Sequence, residues 1–345
     1  MKILITVDPE IPVPPKLYGG IERVVDLLVC ELIKNGHVVT LLAHPESRTP
    51  ADLRGWRTRR SQHGLDLIRN IIHVDEVFRN EGPYDLVHSF ARMAYLIPIL
   101  PTRVSKIQTY QRQVTMRNVR WGSRLAGRTI GFTACSQVLV DSARCGRERW
   151  ETIPNGVCLE KYRFVPEVPA GAPFVFLGRF DPEKGAHHAI DLAHRMEKKL
   201  ILAGPIGTGK NAQKYFDRQI APHIDGEQIK YMGELDDVDK GDLLGRAAAL
   251  LFPIEWQEPF GIVMVEALAC GTPILALRRG SVPEVVHHGV TGWIASNLAE
   301  LEEGARQITQ FDRKACRQQA EQRFSSVVIA KKYMQLYESM LAQAN

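Results

Sequence analysis

Long hydrophobic runs are scarce in this sequence. Nowhere do its 345 residues approach the roughly 18 uninterrupted apolar residues that a membrane-spanning helix needs. The apolar stretch after Met1 is too short for the core of a secretory signal peptide, and no small-residue cleavage site follows it. We therefore expect a cytoplasmic protein, with peripheral contact at the inner membrane face as an open alternative.

Cysteine pairs at metal-binding spacing are also missing. The six cysteines lie far apart and none belongs to a CxxC motif, so neither a zinc site nor a disulfide framework is indicated. We expect reduced, mostly buried thiols and no metal site. The cysteines are Cys30, Cys135, Cys145, Cys158, Cys270 and Cys316.

Acidic residues are absent from one long stretch, residues 86–140, which holds eight basic residues. The formal charge is +7 over residues 1–155 and −2 over residues 156–345, so the net charge of +5 originates in the first half. This stretch is a candidate surface for an anionic glycan or membrane partner, and we expect no nucleic-acid partner. Its basic residues are Arg92, Arg103, Lys106, Arg112, Arg117, Arg120, Arg124 and Arg128.

The first half of the chain alternates apolar runs with helical periodicity. A strand is predicted over 2–7, a Pro- and Gly-rich loop follows, and apolar residues at helical spacing predict a helix over 21–34. The later runs are apolar on both faces, as parallel strands between two helical layers require. We predict a doubly wound α/β domain. The later strands are predicted over 38–43, 85–90, 106–111 and 131–136.

A second series of the same kind begins after the turn Ile153-Pro154-Asn155-Gly156. A chain of this length is expected to form two domains. Two copies of one architecture imply a cleft, which the carboxyl ends of both sheets would face. Strands are predicted over 174–179, 199–204, 228–233, 249–254 and 273–277, and helices over 186–195, 241–248, 260–269 and 326–341.

The segment 252–274, FPIEWQEPFGIVMVEALACGTPI, is the most informative. A helix is predicted to start near Pro259 or Phe260, where unpaired backbone N–H groups and the helix dipole favour an anion such as a phosphate. Glu258 precedes this start. Glu266 lies eight residues later, which brings its side chain to within about 80° of the same helix face. In isolation, the two glutamates would be an ordinary helix-terminal charge and a surface residue.

A second motif, FLGRFDPEKGAHHAI, spans residues 176–190. Arg179 stands at the carboxyl end of a predicted strand, and Lys184 precedes a helix that starts after a glycine. Two adjacent phosphates need such cations for charge neutralisation, although solvated surface charge is the alternative. Near the N-terminus, Gly19 and Gly20 open a helix and would let backbone N–H groups approach a phosphate; a plain tight turn is the alternative.

The run EPFGIVMVEALACGTPI closely resembles the signature of the retaining family 4 glycosyltransferases, whose glycosyltransferase B fold has two facing Rossmann-like domains. The resemblance implies that Glu258 contacts the donor sugar and Glu266 the nucleotide ribose. It also implies that Arg179, Lys184 and the loop of Gly19 and Gly20 bind the donor diphosphate. The remaining nucleotide-binding positions that it implies are Phe260, Gly261, Ile262 and Val263.

A histidine at the end of a central N-domain strand often contacts the donor sugar in this family, within a motif like D-x-x-H-x-H. Here His88 occupies the first histidine position, and Phe90 replaces the second. The resemblance assigns His88 to the catalytic set with Glu258, Arg179 and Lys184; a core histidine bonded to backbone is the alternative. Arg112, at the end of the next predicted strand, is either an acceptor-binding residue or a surface charge.

The resemblance implies an acceptor-binding domain over 1–155, a nucleotide-sugar-binding domain over 156–325, and a helix over 326–345 that returns to the first domain. The implied activity is metal-independent, retaining hexosyl transfer without a cofactor. The donor would be a UDP- or GDP-sugar, and the acceptor a glycan, a lipid-linked sugar or a natural product. The open alternatives are a sugar-nucleotide-binding protein without transfer activity and a nucleotide-sugar epimerase of the same fold.

Overall fold

The computed structural model describes residues 1–60, 64–207 and 209–344, and the chain divides into two compact units. Unit 1 comprises Met1–Gly156 and Ser326–Asn345, and unit 2 comprises Val157–Ser325. Each unit is built on one parallel sheet, which confirms the predicted α/β class. The chain thus leaves unit 1 after Gly156 and returns to it only for the last helix.

Unit 1 contains a seven-stranded sheet in the order β3-β2-β1-β4-β5-β6-β7, with every pair parallel. In the centre, Ile5 lies opposite Leu41 on one side and His88 on the other. The strand order reverses between β1 and β4, and ligands of doubly wound sheets bind at the carboxyl ends of the strands beside such a reversal. The strands are β1 (Lys2–Thr6), β2 (Val38–Ala43), β3 (Asp52–Gly55), β4 (Leu86–Ser89), β5 (Ser105–Tyr110), β6 (Ile130–Ala134) and β7 (Trp150–Thr152).

The helices of unit 1 connect these strands. The first of them buries Val24, Val25, Leu28 and Leu32 at helical spacing, which is the pattern that predicted it. The connecting helices are α1 (Gly20–Lys34), α2 (Gly64–Glu81), α3 (Met116–Ala126) and α4 (Gln137–Ala143).

Unit 2 contains a six-stranded sheet in the order β10-β9-β8-β11-β12-β13, and its strand order reverses between β8 and β11. The strands are β8 (Phe174–Leu177), β9 (Leu200–Ala203), β10 (Ile229–Tyr231), β11 (Ala249–Phe252), β12 (Ile274–Leu277) and β13 (Gly292–Ala295). The helices are α5 (Ala186–Arg195), α6 (Lys210–Tyr215), α7 (Asp237–Arg246), α8 (Ile262–Cys270), α9 (Val282–Val285), α10 (Leu298–Arg306) and α11 (Arg313–Gln319).

The last helix, α12 (Ser326–Ala344), packs on unit 1. At its start, Ser326 Oγ donates to Glu31 Oε1 over 3.1 Å. Near its end, Arg149 Nη2 donates to Ser339 Oγ over 2.5 Å. Its apolar stripe is buried, as the periodicity predicts, and comprises Ile329, Tyr333, Leu336, Tyr337 and Met340.

Three strands differ from the sequence prediction. β3 and β7, at the two edges of the first sheet, are short and partly polar, so they lack the continuous apolar runs of buried strands. β13 lies beyond 273–277, the last strand that the sequence predicts. Across the described ranges, the helices are too short or too polar to cross a bilayer.

Candidate active site

A tight turn after β8 brings Lys184 against the loop that follows β11. The turn runs over Pro182–Lys184 and ends at Gly185, whose φ is +75°. A Cβ atom on Gly185 would collide with the carbonyl oxygen of Pro253, so only glycine lets the two segments approach this closely. The Glu255 N–H donates to the Glu183 carbonyl over 2.9 Å and joins the two segments directly.

This contact places the Lys184 ammonium on the Glu258 carboxylate. Lys184 Nζ lies 2.5 Å from Glu258 Oε2, and Trp256 Nε1 donates to the same oxygen over 2.8 Å. The ammonium also lies 4.7 Å from the centroid of the Trp256 ring. The side chains of Lys184 and Glu258 keep 16% and 11% exposure, so the pair is shielded but reachable from solvent. The result is a carboxylate of fixed orientation beside a cation.

Helix α8 begins at Ile262, two or three residues later than the sequence predicts. Gly261 precedes it in the left-handed conformation, with a φ of +74°. Phe260 stays in the loop because its carbonyl accepts a 2.7 Å hydrogen bond from Ser281 Oγ and its ring is buried against Phe324. The first backbone N–H groups of α8 are therefore those of Ile262 and Val263, four and five residues after Glu258.

Glu266, in the second turn of α8, is held by a different set of partners. Its Oε1 accepts a 2.8 Å hydrogen bond from Tyr162 OH and lies 2.6 Å from Lys240 Nζ. Lys240 also pairs with Asp237 at 3.2 Å, and the glutamate is almost fully buried. Tyr162 and Lys240 are not predicted from the sequence, since they lie 104 and 26 residues from Glu266 without any motif.

Arg179 follows β8, and its Nε lies 2.7 Å from Asp181 Oδ2. The guanidinium keeps 40% exposure and can still present N–H groups to an anion. The two cations predicted for the diphosphate thus each have a carboxylate partner in this structure. Asp181 is a further polar residue of this site that was not predicted from the sequence.

Unit 1 places Gly19 and Gly20 at the start of α1, near the carboxyl end of β1. Arg23 holds this loop from the first turn of the helix, because its Nη1 donates to the Gly19 carbonyl and its Nη2 to the Leu17 carbonyl, over 3.3 and 3.2 Å. The loop therefore has a defined backbone path at the edge where a ligand is expected.

Two buried carboxyl groups lie at the same edge of unit 1. Asp8 accepts hydrogen bonds from the Arg92 N–H over 3.1 Å and from Arg112 Nη2 over 3.4 Å. Burial raises the pKa of Asp8, and it raises the pKa of Glu22 to about 7. Arg112, predicted to face an acceptor or solvent, forms an ion pair with Asp8. Asp8 lies just after the end of β1. Because ligands of doubly wound sheets bind at the carboxyl ends of the strands, this position is the sequence signal from which the cluster could have been predicted.

His88 lies in the core of unit 1, contrary to the predicted contact with a donor sugar. It has no exposed surface, its Nδ1 lies 2.7 Å from Tyr337 OH, and its Nε2 lies 2.6 Å from Thr109 Oγ1. Burial lowers the pKa of the imidazole to about 3, so it is neutral. The alternative prediction was a core histidine bonded to the backbone. His88 is a core histidine, but both ring nitrogens contact side-chain hydroxyl groups. Phe90 packs against the imidazole ring.

Helix α3 carries three of the exposed arginines of the acid-free stretch. Lys106 is not part of that surface, because it is buried and donates to the Thr102 carbonyl and to Thr129 Oγ1 over 2.6 and 2.8 Å. Burial lowers the pKa of Lys106 to about 8. Exposed arginines and apolar residues alternate along the helix: Met116, Arg117, Arg120, Trp121, Arg124 and Leu125.

Two protein-family profiles match the chain, each over a different half. The profile of the family described as Glycosyl transferases group 1 matches residues 160–323, and that of Glycosyltransferase Family 4 matches residues 18–161. A glycogen synthase of Mycobacterium tuberculosis (strain CDC 1551 / Oshkosh) is 33% identical over 147 residues, which are 41% of this chain and 34% of the synthase. The match thus spans about a third of the length of that curated relative.

Solved structures resemble the chain over almost its whole length. AviGT4, a glycosyltransferase involved in avilamycin A biosynthesis, is 24% identical with a TM-score of 0.77, covering 99% of this chain and 98% of its own. HepE of Anabaena, solved in complex with UDP-glucose, is 22% identical with a TM-score of 0.74, covering 98% of this chain and 100% of its own. At these identities the likeness shows a shared fold.

Proposed function

Because this chain belongs to the group 1 and family 4 glycosyltransferases and has the glycosyltransferase B fold, we propose that it transfers a hexosyl group from a nucleoside-diphosphate sugar. The acceptor is a glycan, a lipid-linked sugar or a natural product. One observation carries the proposal most directly: the Glu258 carboxylate is fixed by Lys184 and Trp256 just before the N-terminus of α8.

The donor diphosphate binds at the start of α8, on the N–H groups of Gly261, Ile262 and Val263 and with the helix dipole. Lys184 and Arg179 add the positive charge. An ammonium has three N–H donors, so Lys184 can keep its contact with Glu258 while it binds a phosphate oxygen. These cations stabilise the negative charge that develops on the departing nucleoside diphosphate, which makes the proposed transfer independent of a metal.

Glu258 accepts hydrogen bonds from hydroxyl groups of the donor sugar and fixes the ring against the leaving group. The Trp256 indole and the Lys184 ammonium orient the carboxylate before the donor arrives, which reduces the free-energy cost of positioning. The acceptor attacks the face from which the diphosphate leaves, so that the anomeric configuration is retained. This stereochemistry follows the family resemblance.

Glu266 binds the nucleotide ribose, with Tyr162 and Lys240 fixing its orientation. A carboxylate can accept a hydrogen bond from a ribose hydroxyl, as acidic residues do from the 2′-hydroxyl in other doubly wound nucleotide sites. The donor is a UDP- or GDP-sugar. UDP is the first nucleotide to test, because HepE, which shares the fold, was solved with UDP-glucose.

The acceptor side of the proposal rests on unit 1. The Asp8 and Glu22 carboxyl groups and Arg112 lie at the carboxyl edge of its sheet, where these side chains can form hydrogen bonds to sugar hydroxyls. The arginines and Trp121 of α3 suit contact with an anionic lipid surface, where each basic residue adds about 1 kcal/mol of binding. A lipid-linked acceptor is the option that this surface favours.

The second candidate function is sugar-nucleotide binding without transfer, and the burial of His88 favours it, since that side chain is withdrawn from any substrate. Turnover separates the two functions. UDP-glucose and GDP-mannose incubated with the protein and candidate acceptors should yield a product whose α-anomeric linkage appears in the proton NMR spectrum. Inverted product would contradict retention, and nucleotide binding without any product would favour the second candidate.

Calorimetric titration with UDP, GDP, ADP and dTDP, each with and without Mg²⁺, tests the donor site. We expect one diphosphate to bind with the same affinity in the presence and absence of the metal. Binding that requires Mg²⁺ would contradict charge neutralisation by Lys184 and Arg179 alone. No binding of any diphosphate would overturn the proposed donor site.

A further inference from the structure

Two adjacent histidines and a glutamate converge beside the candidate active site of unit 2. His187 and His188 lie in the first turn of α5, and Glu255 lies in the loop after β11. His188 Nε2 is 3.1 Å from Glu255 Oε1. One ligand atom from each of the three residues lies within 4.8 Å of the others, which is the spacing that a single bound ion requires.

The histidine rings are already oriented. Tyr215 OH lies 2.8 Å from His187 Nδ1 and accepts the His187 backbone N–H over 3.2 Å. This contact leaves the Nε2 side of His187 available, and metal-binding histidines are characteristically fixed by a hydrogen bond to their other ring nitrogen. His188 Nδ1 is buried and, within the described part of the chain, has no hydrogen-bond partner. A buried ring nitrogen without a partner is costly, and an ion bound to that nitrogen would remove the cost.

The backbone holds the two segments together without the ion. Glu255 N–H donates to the Glu183 carbonyl over 2.9 Å, and Gly185 packs against Pro253. The ligands therefore do not have to be brought together from separate mobile segments, and little ordering entropy opposes binding.

We propose that His187, His188 and Glu255 form a binding site for a divalent transition-metal ion of the Zn²⁺ class. Two imidazoles and one carboxylate suit Zn²⁺, Co²⁺ or Ni²⁺, whereas Mg²⁺ and Ca²⁺ prefer oxygen ligands alone. Water would complete the coordination. The proposed ion takes no part in binding the donor diphosphate, and the site stands independently of the proposed transferase activity.

An occupied site would have a structural consequence for the neighbouring loop. Glu255 lies one residue before Trp256 and three before Glu258. Binding of the ion would attach this loop to α5 by a metal bridge in addition to the Glu255 N–H hydrogen bond. The exchange of backbone amides over residues 254–258 should therefore slow when the ion is bound.

Calorimetric titration with Zn²⁺ and absorption titration with Co²⁺ test the site on the whole chain. The variants are Glu255→Gln, which changes an exposed side chain, and His188→Ala. We expect each to raise the Kd by roughly a hundredfold or more, since even a lost outer contact commonly costs 10- to 100-fold. The Co²⁺ titration should show visible d–d absorption that saturates with one ion per chain in the wild type and is absent in the variants.

A matched control exists in the same unit. His194 Nε2 lies 3.3 Å from His223 Nδ1 on the exposed surface, a histidine pair without a carboxylate. His194→Ala should leave the saturable binding unchanged. Affinity that is unchanged in Glu255→Gln, or lost in His194→Ala instead, would overturn the assignment. A thermal melt of each variant without metal checks that it is folded.

Discussion

The buried Glu22 should make the stability of unit 1 fall as pH rises, and Glu22→Gln should remove that fall. The side chain is 5% exposed, and burial is the largest cause of its raised pKa, with the charges of Asp8 and Glu10 adding to it and Arg112 opposing it. An acid whose pKa is higher in the folded state keeps its proton there more readily than in the unfolded state. Raising the pH between the two values therefore favours unfolding.

The magnitude follows from the two pKa values. The folded pKa of about 7 against 4.5 for the unfolded chain corresponds to about 3 kcal/mol, at roughly 1.4 kcal/mol for each unit. The loss begins near pH 4.5, is spread up to about pH 7, and is complete above it. Glutamine has nearly the same shape as glutamate and does not titrate, so its contribution to the free energy of unfolding does not change with pH. The effect is a large share of the roughly 5–15 kcal/mol that stabilises a typical domain.

Urea unfolding near pH 5 and near pH 8, followed by tryptophan fluorescence, measures the effect. Between these two pH values the free energy of unfolding of the wild type should fall by about 2.5 kcal/mol relative to that of Glu22→Gln. Glu46→Gln is the control, because its carboxylate is exposed and pairs with Arg59 at the surface. If the difference between wild type and Glu22→Gln were the same at both pH values, Glu22 would not be a buried, protonated group.

Three further predictions concern the remaining polar contacts. Glu258→Gln keeps an acceptor for Trp256 but loses its negative charge, so hexosyl transfer should fall at least about tenfold while nucleotide affinity, measured by calorimetry, changes little; wild-type transfer rates would contradict the assigned role. Lys184→Ala should weaken nucleoside-diphosphate binding, whereas Lys214→Ala, on the exposed surface of α6, should not; equal affinities would remove Lys184 from the diphosphate site. Tyr337→Phe leaves His88 Nδ1 without its partner and should lower the free energy of unfolding by about 1–3 kcal/mol, with nucleotide affinity unchanged; an unaltered urea midpoint would show that the hydroxyl contributes nothing.

The sequence predicts the central strands and the principal helices because their apolar patterns are continuous. β1, β8 and β11 are buried on both faces, and their short apolar runs between turn signals are typical of parallel strands. The edge strands β3 and β7 could not be recognised in this way, since they are short and partly polar.

Some residues of the candidate site belong to local sequence motifs, whereas others come together only through the tertiary fold. Glu258, Lys184 and Arg179 were identifiable because each belongs to a short motif at a strand end. Tyr162 and Lys240 were not, because they meet Glu266 only through the tertiary fold. The start of α8 was predicted too early, since the hydrogen bond from Ser281 that holds Phe260 in the loop joins residues 21 apart.

The burial of His88 shows how far a local motif can mislead. The histidine stands where the resemblance places it, at the end of β4, but Tyr337 arrives from 249 residues away and occupies its Nδ1. Thr109, on the neighbouring strand, occupies the other nitrogen. No spacing within residues 85–90 could indicate either contact.

The discontinuous make-up of unit 1 also has a consequence for synthesis. When a ribosome has released residues 1–156, the nascent unit has its whole sheet but lacks α12, so Tyr337 cannot yet close over the imidazole of His88. Unit 2 is encoded in one continuous stretch and can complete its own core first. The order of maturation is then the reverse of the order of translation: the half that is made first is finished last.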